Sequence, residues 1–236
     1  MTKAYATCIV VPTYNEVENV VALVDEVRKA KTSDTALLFV DDSSPDGTGK
    51  AISALAEKEQ WIKLLTRSGK MGIGSAYQDG FREAISTLDA DVIVEMDGDL
   101  QHPPSALPAL IRALENGADV AVGSRYVAGG GVSGWSFARR AVSRTANAYV
   151  RAVLGLSVKD ATSGFRAYTR AAATRVSEAS LPAKGFEFQV ASLKALKTGM
   201  KIEEVPYTFS ARSAGKSKLG MGDMARFFVA VMRLAF

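Results

Sequence analysis

The chain has 236 residues, of which 47% are apolar and 23% are charged, and this balance excludes an intrinsically disordered protein. The length fits one α/β domain, residues 1–236, and leaves little room for a second full core. A formal net charge of +4 favours anionic partners, without choosing among phosphate ligands, nucleic acid and acidic lipid.

The first half of the sequence alternates short apolar runs with amphipathic stretches. Buried parallel strands are predicted at Thr7–Val11, Ala36–Val40, Ile62–Leu65, Val92–Met96 and Val120–Val122. Helices are predicted at Val17–Lys29, Thr48–Lys58, Gly74–Ser86 and Pro104–Asn116. This alternation is typical of βαβ units and a mostly parallel sheet, whose ligands lie beyond the carboxyl ends of the strands.

Polar and charged residues follow four of these predicted strands. The segments are Pro12–Glu16, Asp41–Thr48, Glu95–Pro104 and Gly123–Tyr126. Since the carboxyl ends of parallel strands share one edge of the sheet, the sequence predicts a single polar crevice along that edge.

The second half has a different character. A glycine-rich loop is predicted at Gly129–Gly134 and a basic helix from about Ser136 to Leu154. A polar, basic loop spans Ser210–Gly222, and a terminal helix starts at about Asp223. Both helices combine apolar side chains with arginines, a pattern that suits a helix lying at a membrane interface. Packing of their apolar faces on the sheet is the alternative.

Two residue types occur once each and restrict the chemistry. The single cysteine, Cys8, cannot form an internal disulfide, which favours a reducing compartment, and its apolar neighbours predict a buried strand position. The single histidine, His102, excludes His-rich zinc sites and argues against a Ser-His-Asp triad. We find no signal-peptide pattern and no apolar run of the roughly 18 residues that a membrane-spanning helix needs.

A carboxylate pair follows the fourth predicted strand. Asp97 and Asp99 lie two residues apart, and in an extended segment both side chains would face one ion. Gly98 permits a sharp turn, and Gln101 adds a neutral oxygen. Oxygen ligands suit Mg²⁺ or Mn²⁺, which keep positions open for substrate phosphates. A solvated Asp-Gly turn is the alternative, but the acidic pair Asp41-Asp42 and the basic residues downstream favour a diphosphate site.

Two other nucleotide-binding classes lack their signatures. A dinucleotide-binding fold needs a glycine-rich turn after the first strand, where this chain has Pro12–Glu16. No Gly-x-x-x-x-Gly-Lys-Ser/Thr loop occurs anywhere in the sequence. A Rossmann oxidoreductase and a P-loop NTPase are therefore not expected.

Seven segments in order give the chain a resemblance to a known family. They are VVPTYNE (10–16), VDDSSPDGT (40–48), GKMGIGSAY (69–77), MDGDLQHPP (96–104), GSRY (123–126), DATSGFRAY (160–168) and RSAGKSK (212–218). Over roughly Val10 to Leu219 the chain resembles the family 2 glycosyltransferases, and within them the dolichol-phosphate (polyprenol-phosphate) mannose synthases. The resemblance implies a GT-A fold, with a mostly parallel sheet flanked by helices and with amphipathic helices on the acceptor side and at the C-terminus.

The resemblance also implies an inverting transfer of mannose from GDP-mannose to a polyisoprenyl monophosphate, with Mg²⁺ or Mn²⁺ as cofactor. The nucleotide-sugar half would be about 1–125, and the acceptor- and membrane-facing half about 126–236. The nucleotide-sugar site would comprise Pro12, Tyr14, Glu16, Val40, Asp42, Lys70, Gly74, Asp97, Gly98, Asp99, Gln101, Arg212 and Lys218. The metal ligands would be Asp97, Asp99 and Gln101.

On the acceptor side, the residues implied to hold the phosphate are Arg125, Arg139 and Ser143, and those implied in catalysis are Asp99, Arg125 and Arg139. Alternatively, Arg125 could pair with a surface acid, and Asp160 could form a structural ion pair with Arg166. The Gln-His-Pro-Pro segment at His102 is similar to the mannose-type version of the motif.

The implied partners are GDP-mannose, a polyprenyl phosphate lipid and a membrane-anchoring protein. The chain would bind peripherally to the cytoplasmic face of a membrane. Nucleic acid is not expected. A glucosyltransferase using UDP-glucose remains an alternative, as does a non-catalytic module that binds a nucleotide sugar or nucleic acid.

Overall fold

The computed structural model of the chain describes residues 5–181, 185, 187–210 and 221–235. The strands in these residues are β1 (Thr7–Thr13), β2 (Thr35–Asp41), β3 (Ile62–Thr66), β4 (Val92–Glu95), β5 (Val120–Ser124), β6 (Gly131–Val132), β7 (Arg166–Thr169), β8 (Ile202–Pro206) and β9 (Thr208–Phe209). The helices are α1 (Val17–Ala30), α2 (Thr48–Ala56), α3 (Ile73–Ser86), α4 (Leu107–Glu115), α5 (Phe137–Leu154), α6 (Arg170–Glu178), α7 (Phe188–Leu196) and α8 (Met221–Ala235).

The larger sheet has the order β3-β2-β1-β4-β7-β5-β8, and β6 pairs with β9 beside it. Its strands run parallel except β7, which lies antiparallel between β4 and β5. The carboxyl ends of β1, β2, β4 and β5 therefore meet at the same edge, as the sequence predicts.

The apolar core has two layers because alternate side chains of a strand point to opposite faces of the sheet. In β1, Cys8 and Val10 belong to one cluster, with α3, α6 and α7, whereas Ile9 and Val11 belong to the other, with α1 and α4. Cys8 is fully buried, and burial raises the pKa of its thiol far above the usual range. The prediction of a buried strand cysteine is confirmed.

The five strands predicted in the first half are confirmed, with ends that differ by up to two residues. The predicted helix Pro104–Asn116 is instead a 3-10 turn, Pro104–Ala106, followed by α4. The basic helix is confirmed as α5: the Ser136 side chain accepts a hydrogen bond from the Arg139 N–H at its start, and Gly155 ends it with φ of 62°.

Candidate active site

The segments that follow the carboxyl ends of the strands contain unusual backbone geometry. Asn15, Ser43 and Leu100 follow β1, β2 and β4, and their φ angles are 58°, 53° and 61°. Residues other than glycine rarely adopt positive φ, and such conformations concentrate at functional sites. The backbone therefore turns sharply at three adjacent strand ends.

The exit of β1 contacts the segments that follow β2 and β3. The Lys70 ammonium lies 4.4 Å from the centroid of the Tyr14 ring, a cation–π contact. The Glu16 N–H donates to Thr48 Oγ1 at 3.0 Å, which ties the start of α1 to the start of α2. Pro12 lies in register with Val40 on the neighbouring strand.

The acidic pair Asp41-Asp42 at the end of β2 is buried, and both carboxylates have polar partners. Asp41 accepts hydrogen bonds from the Thr13 hydroxyl at 3.0 Å and the Ser44 hydroxyl at 2.6 Å. Asp42 Oδ2 accepts from the Met71 N–H at 3.1 Å. Asp42 Oδ1 lies 3.2 Å from Arg67 Nε in an ion pair whose geometry is not that of a hydrogen bond.

Arg67 was not among the site residues predicted from the sequence. It is 5% exposed, and its guanidinium also lies 3.3 Å from Asp79 and donates to the Ser75 hydroxyl at 2.7 Å. The cation therefore joins the end of β2 to α3. Gly74, which was predicted to line the donor site, is buried in the first turn of that helix.

The carboxylate pair lies in a turn. The expectation of an extended segment at Asp97 and Asp99 is wrong, because the strand ends at Glu95 and the chain turns at Gly98 and Asp99. A side chain at position 98 would approach a Val11 methyl at 3.4 Å, so the turn packs closely on β1.

Asp97 is held from α3 through its side chain. The Tyr77 hydroxyl donates to Asp97 Oδ1 at 3.1 Å. Burial, with the nearby carboxylates of Asp97 and Glu95, raises the pKa of Tyr77 well above its ordinary value, so this hydroxyl keeps its proton and acts as a donor.

Asp97 is held through its backbone by the single histidine. The Asp97 N–H donates to Nδ1 of His102 at 3.1 Å. The imidazole is 2% exposed and stacks on the Phe165 ring, with centroids 5.1 Å apart and planes inclined by 7°. Burial lowers the pKa of His102 to about 4, so the ring is neutral.

Gln101 connects the turn at residues 97–102, here called the carboxylate turn, to the segment after β9. Its amide nitrogen donates to the Ser210 carbonyl at 3.0 Å, and the Ser210 N–H donates to the Gln101 carbonyl at 3.2 Å. Its own N–H donates to Asp99 Oδ1 at 3.1 Å. The role of Gln101 as a metal ligand stays a prediction.

Arg125 binds Asp160, which is fully buried, so the alternative of a surface acid is wrong. Its Nε and Nη2 lie 2.7 Å and 2.6 Å from the two carboxylate oxygens, and Nη2 also donates to the Thr162 hydroxyl at 2.9 Å. The suggested Asp160–Arg166 pair is therefore wrong. Arg166 instead donates to the Ala161 carbonyl and the Ser192 hydroxyl, both at 2.9 Å.

The two arginines predicted to bind the acceptor share one aromatic ring. The guanidinium carbon of Arg139 lies 4.1 Å from the centroid of the Trp135 ring, and that of Arg125 lies 5.6 Å from it. Ser143, on the same helix as Arg139, accepts a hydrogen bond from the Tyr126 hydroxyl at 2.6 Å. Trp135 and Tyr126 thus bring the three predicted acceptor residues, Arg125, Arg139 and Ser143, to one region. The sequence did not single out these two aromatic residues for this role.

A buried polar network lies behind the carboxylate turn. Glu95 accepts from the Tyr168 hydroxyl at 2.7 Å and from the Gln189 amide. Burial raises the pKa of Glu95 to about 7, against the attraction of the buried Arg166 guanidinium. Glu95 lies within the predicted buried strand Val92–Met96, but the sequence did not indicate the partners of its carboxylate.

Two predicted donor-site residues, Arg212 and Lys218, lie outside the described residues, as does most of the loop Ser210–Gly222. Among the residues that the structure describes, no three or more His, Cys, Asp or Glu side chains gather into a group that could hold a metal ion.

The sequence pattern of the family described as "Glycosyl transferase family 2" matches residues 8–176. The chain belongs to this family. This family 2 glycosyltransferase is 40% identical over 216 residues to the polyprenol monophosphomannose synthase of Mycolicibacterium smegmatis, covering 90% of this chain and 80% of that protein. It is 37% identical over 225 residues to the undecaprenyl-phosphate mannosyltransferase of Micrococcus luteus, covering 95% and 91% of the two chains. It is 39% identical over 214 residues to the dolichol-phosphate mannosyltransferase of Pyrococcus furiosus, covering 89% and 58%.

Solved structures agree with the fold of this glycosyltransferase. Glucosyl-3-phosphoglycerate synthase from Mycobacterium tuberculosis, in complex with Mn²⁺, UDP and glucosyl-3-phosphoglycerate, has a TM-score of 0.69 at 19% identity, covering 98% of this chain and 78% of that chain. A mannosyltransferase from Pyrobaculum calidifontis, in complex with GDP-Man and Mn²⁺, has a TM-score of 0.61 at 15% identity, covering 99% and 70%. At these identities the likeness shows the α/β fold alone.

Helices α5 and α8 of the enzyme each have a packed face and an exposed face. Tyr149 of α5 packs edge-on against Phe228 of α8 at 4.9 Å, and Val150 and Val231 are fully buried. Phe137 is 87% exposed. Among the described helices, none combines the length and hydropathy that crossing a bilayer would require.

Proposed function

We propose that this glycosyltransferase moves mannose from GDP-mannose to a polyisoprenyl monophosphate, dolichyl or polyprenyl, and forms a β-linked polyprenyl phosphate mannose. One observation carries the proposal: three proteins named as mannosyltransferases or synthases of such lipid phosphates are 37% to 40% identical to the chain over at least 89% of its length. Identity of this extent supports a shared donor and acceptor class.

The donor would lie across the ends of β1, β2 and β4. We assign the guanosine part to Pro12, Tyr14, Glu16, Val40 and Asp42, and the sugar diphosphate to Lys70, Gly74, Arg212 and Lys218. The position of Lys70 over the Tyr14 ring supports this assignment, because it places a cation beside an aromatic residue. The start of the fourteen-residue helix α3 supports it further, since the first turn of a helix favours phosphate.

Asp97 and Asp99, with Gln101, would hold Mg²⁺ or Mn²⁺. Their donors are oxygens, which these hard cations prefer, and the Asp97 side chain is 35% exposed, so the residues fit such an ion. When bound, the cation would neutralise charge on the departing diphosphate. Gly98 would let the turn lie close to the donor.

The acceptor phosphate would bind near Arg125, Arg139 and Ser143. An acceptor phosphate oxygen forms the new bond to C1 of mannose while the bond from C1 to the diphosphate oxygen breaks, and its electron pair leaves with GDP. A phosphate monoester is already anionic near neutral pH, so the step needs no base. The buried, backbone-bonded His102 supports an acceptor of this kind.

The lipid tail would reach the site beside α5 and α8. Phe137 and Val142 of α5 are 87% and 47% exposed, and Val229 and Met232 of α8 are 51% and 44% exposed. These apolar side chains, together with the arginines of α5, support peripheral binding to the cytoplasmic face of a membrane. A membrane-anchoring partner protein would use the same faces.

The test is transfer of labelled mannose from GDP-mannose, with Mn²⁺, to a polyprenyl phosphate, followed by extraction of the product into organic solvent. We expect Asp99→Ala to abolish this product. Arg139→Ala should mainly raise the KM for the acceptor. Wild-type turnover in either variant would contradict the role of that residue.

A donor panel distinguishes the alternatives. Preference for UDP-glucose would make the chain a polyprenyl-phosphate glucosyltransferase. A non-catalytic binding module would turn over no donor, and its binding to nucleic acid would fall steeply as salt rises. Either outcome would overturn the proposal.

A further inference from the structure

We propose that His102 is a positioning residue, whose Nδ1 accepts the Asp97 N–H and thereby fixes the carboxylate turn in the shape that binds the metal. The effect of His102 on metal binding rests on the proposed function. The hydrogen bond between His102 and Asp97 does not depend on that function and can be tested separately.

The turn needs a stabilising hydrogen bond because its backbone is strained. Leu100 adopts φ of 61°, a conformation that is unfavourable for a bulky side chain. Within the turn, the Gln101 N–H donates to Asp99 Oδ1, which orients the second carboxylate. The Asp97–His102 hydrogen bond then joins the first residue of the turn to the last.

The His102 ring is held in place by aromatic packing. It stacks on Phe165, and its centroid lies 5.9 Å from that of Tyr207 and 5.6 Å from that of Phe209, both edge-on. With 2% of its surface exposed, the imidazole is enclosed by protein. His102 therefore contacts the carboxylate turn through the backbone of Asp97.

The chemistry restricts the imidazole to one state. Nδ1 accepts a hydrogen bond only when it carries no proton, so the neutral ring must be protonated at Nε2. A backbone N–H in a buried turn requires an acceptor. Asparagine at this position offers Oδ1 where histidine offers Nδ1, whereas phenylalanine preserves the ring and removes the acceptor.

The first experiment is ¹⁵N NMR of the imidazole at neutral pH, on protein without a histidine tag. Because the chain has one histidine, the signals belong to His102 alone. We expect the Nε2–H form, with Nδ1 unprotonated. A ring protonated at Nδ1, or an equal mixture of the two forms, would overturn the proposal.

The second experiment compares His102→Asn with His102→Phe. Mn²⁺ binding in the presence of GDP is measured from the electron paramagnetic resonance signal of free Mn²⁺, and melting temperature reports folding. Loss of a partner that orients a metal ligand typically weakens metal binding by about 10- to 100-fold. We expect such a loss in the Phe variant and binding close to wild type in the Asn variant.

The outcomes are separable. Equal losses, or a larger loss in the Asn variant, would assign the effect to the ring rather than to the acceptor and overturn the proposal. No loss in either variant would show that metal binding does not depend on His102, and would overturn it as well. Wild-type protein that binds no Mn²⁺ with GDP would contradict the metal assignment instead. The NMR result would still decide whether Nδ1 accepts the Asp97 N–H, also if a variant fails to fold.

Discussion

Arg125 and Asp160 form a buried two-pronged ion pair, in which Nε and Nη2 lie 2.7 Å and 2.6 Å from the two carboxylate oxygens. The Arg125 N–H adds a third hydrogen bond to the same carboxylate at 2.9 Å. Asp160 is fully buried and Arg125 is 9% exposed. The pair fixes the end of β5 to the segment before β7, and it sets the direction in which Arg125 faces Trp135.

We predict that Asp160→Asn lowers the free energy of unfolding by about 3–5 kcal/mol, because it leaves a buried guanidinium without its counter-charge. Urea denaturation monitored by circular dichroism would measure this.

Asp89→Asn is the matched control for that substitution. Asp89 pairs with Arg170 at 2.6 Å, but their side chains are 52% and 38% exposed, and asparagine tolerates the φ of 51° at this position. An exposed pair contributes at most about 1 kcal/mol. Similar losses for the two variants would contradict a special role for burial at Asp160.

Tyr77→Phe removes the hydroxyl that donates to Asp97 but preserves the ring, which stacks on Phe188 at 5.8 Å. We expect Mn²⁺ binding with GDP to weaken by about tenfold, as measured by titration calorimetry. Tyr149→Phe serves as control, because that hydroxyl donates to the Phe228 carbonyl between α5 and α8. Unchanged binding in Tyr77→Phe would show that Asp97 needs no donor from α3.

Trp135→Leu should raise the KM for the polyprenyl phosphate about fivefold and leave the KM for GDP-mannose unchanged. Its ring contacts Arg139 and Arg125, and a cation–π contact contributes about 1 kcal/mol. Trp61→Leu is the control, since Trp61 precedes β3 at the opposite edge of the sheet and contacts Lys31 at 4.9 Å. An equal rise in both KM values would indicate a general disturbance of the site.

The chain has two tryptophans, which provides an optical test of the same contact. In a Trp61→Phe background all tryptophan fluorescence comes from Trp135. We expect a water-soluble short-chain prenyl phosphate to change its intensity, and GDP without Mn²⁺ to leave it unaltered.

In metal-free protein, two buried groups should oppose each other in the dependence of stability on pH. Burial lowers the pKa of His102 from 6.5 to about 4, so the unfolded chain binds its proton first and stability is lost as the pH falls through this range. Burial raises the pKa of Glu95 from 4.5 to about 7 despite Arg166. The folded state therefore keeps the Glu95 proton to a higher pH than the unfolded chain does. The stability that this proton contributes is lost as the pH rises from 4.5 to about 7.

The substitution His102→Asn separates the two contributions. Between pH 4.5 and 6.5, the wild-type free energy of unfolding should change little, whereas that of the variant should fall as the pH rises, because His102 no longer opposes the contribution of Glu95. Urea denaturation in EDTA at a series of pH values would measure both curves. A variant that gains stability with rising pH would contradict the raised pKa of Glu95.

The parallel half of the fold was predictable because β1, β2 and β5 are almost wholly buried and read as continuous apolar runs. Strand β7 was not, since it begins with Arg166, a charged residue that is fully buried. Strand β8 was missed because some of its residues are exposed. It lies at the edge of the sheet, where Glu203 is exposed and Pro206 stands at its end, and these residues interrupt the apolar pattern of a buried strand.

The residues of the crevice could be chosen from motifs, but their partners could not. Arg125 meets a carboxylate 35 positions away, and Tyr77 reaches Asp97 from a helix that precedes its strand. Such contacts depend on the order of strands and on helix packing, which local sequence does not encode. The same limit explains why Trp135 and Tyr126 were not given roles beside Arg139 and Ser143.

The antiparallel strand β7 also constrains how the chain reaches its folded state during synthesis. Strand β5 pairs with β7 and β8, both of which leave the ribosome after it. Until β7 emerges, the nascent chain exposes the edge of β4 and an unpaired apolar β5, and such edges invite wrong pairing. The middle of the sheet is thus completed late, by contacts distant in sequence, which slows folding.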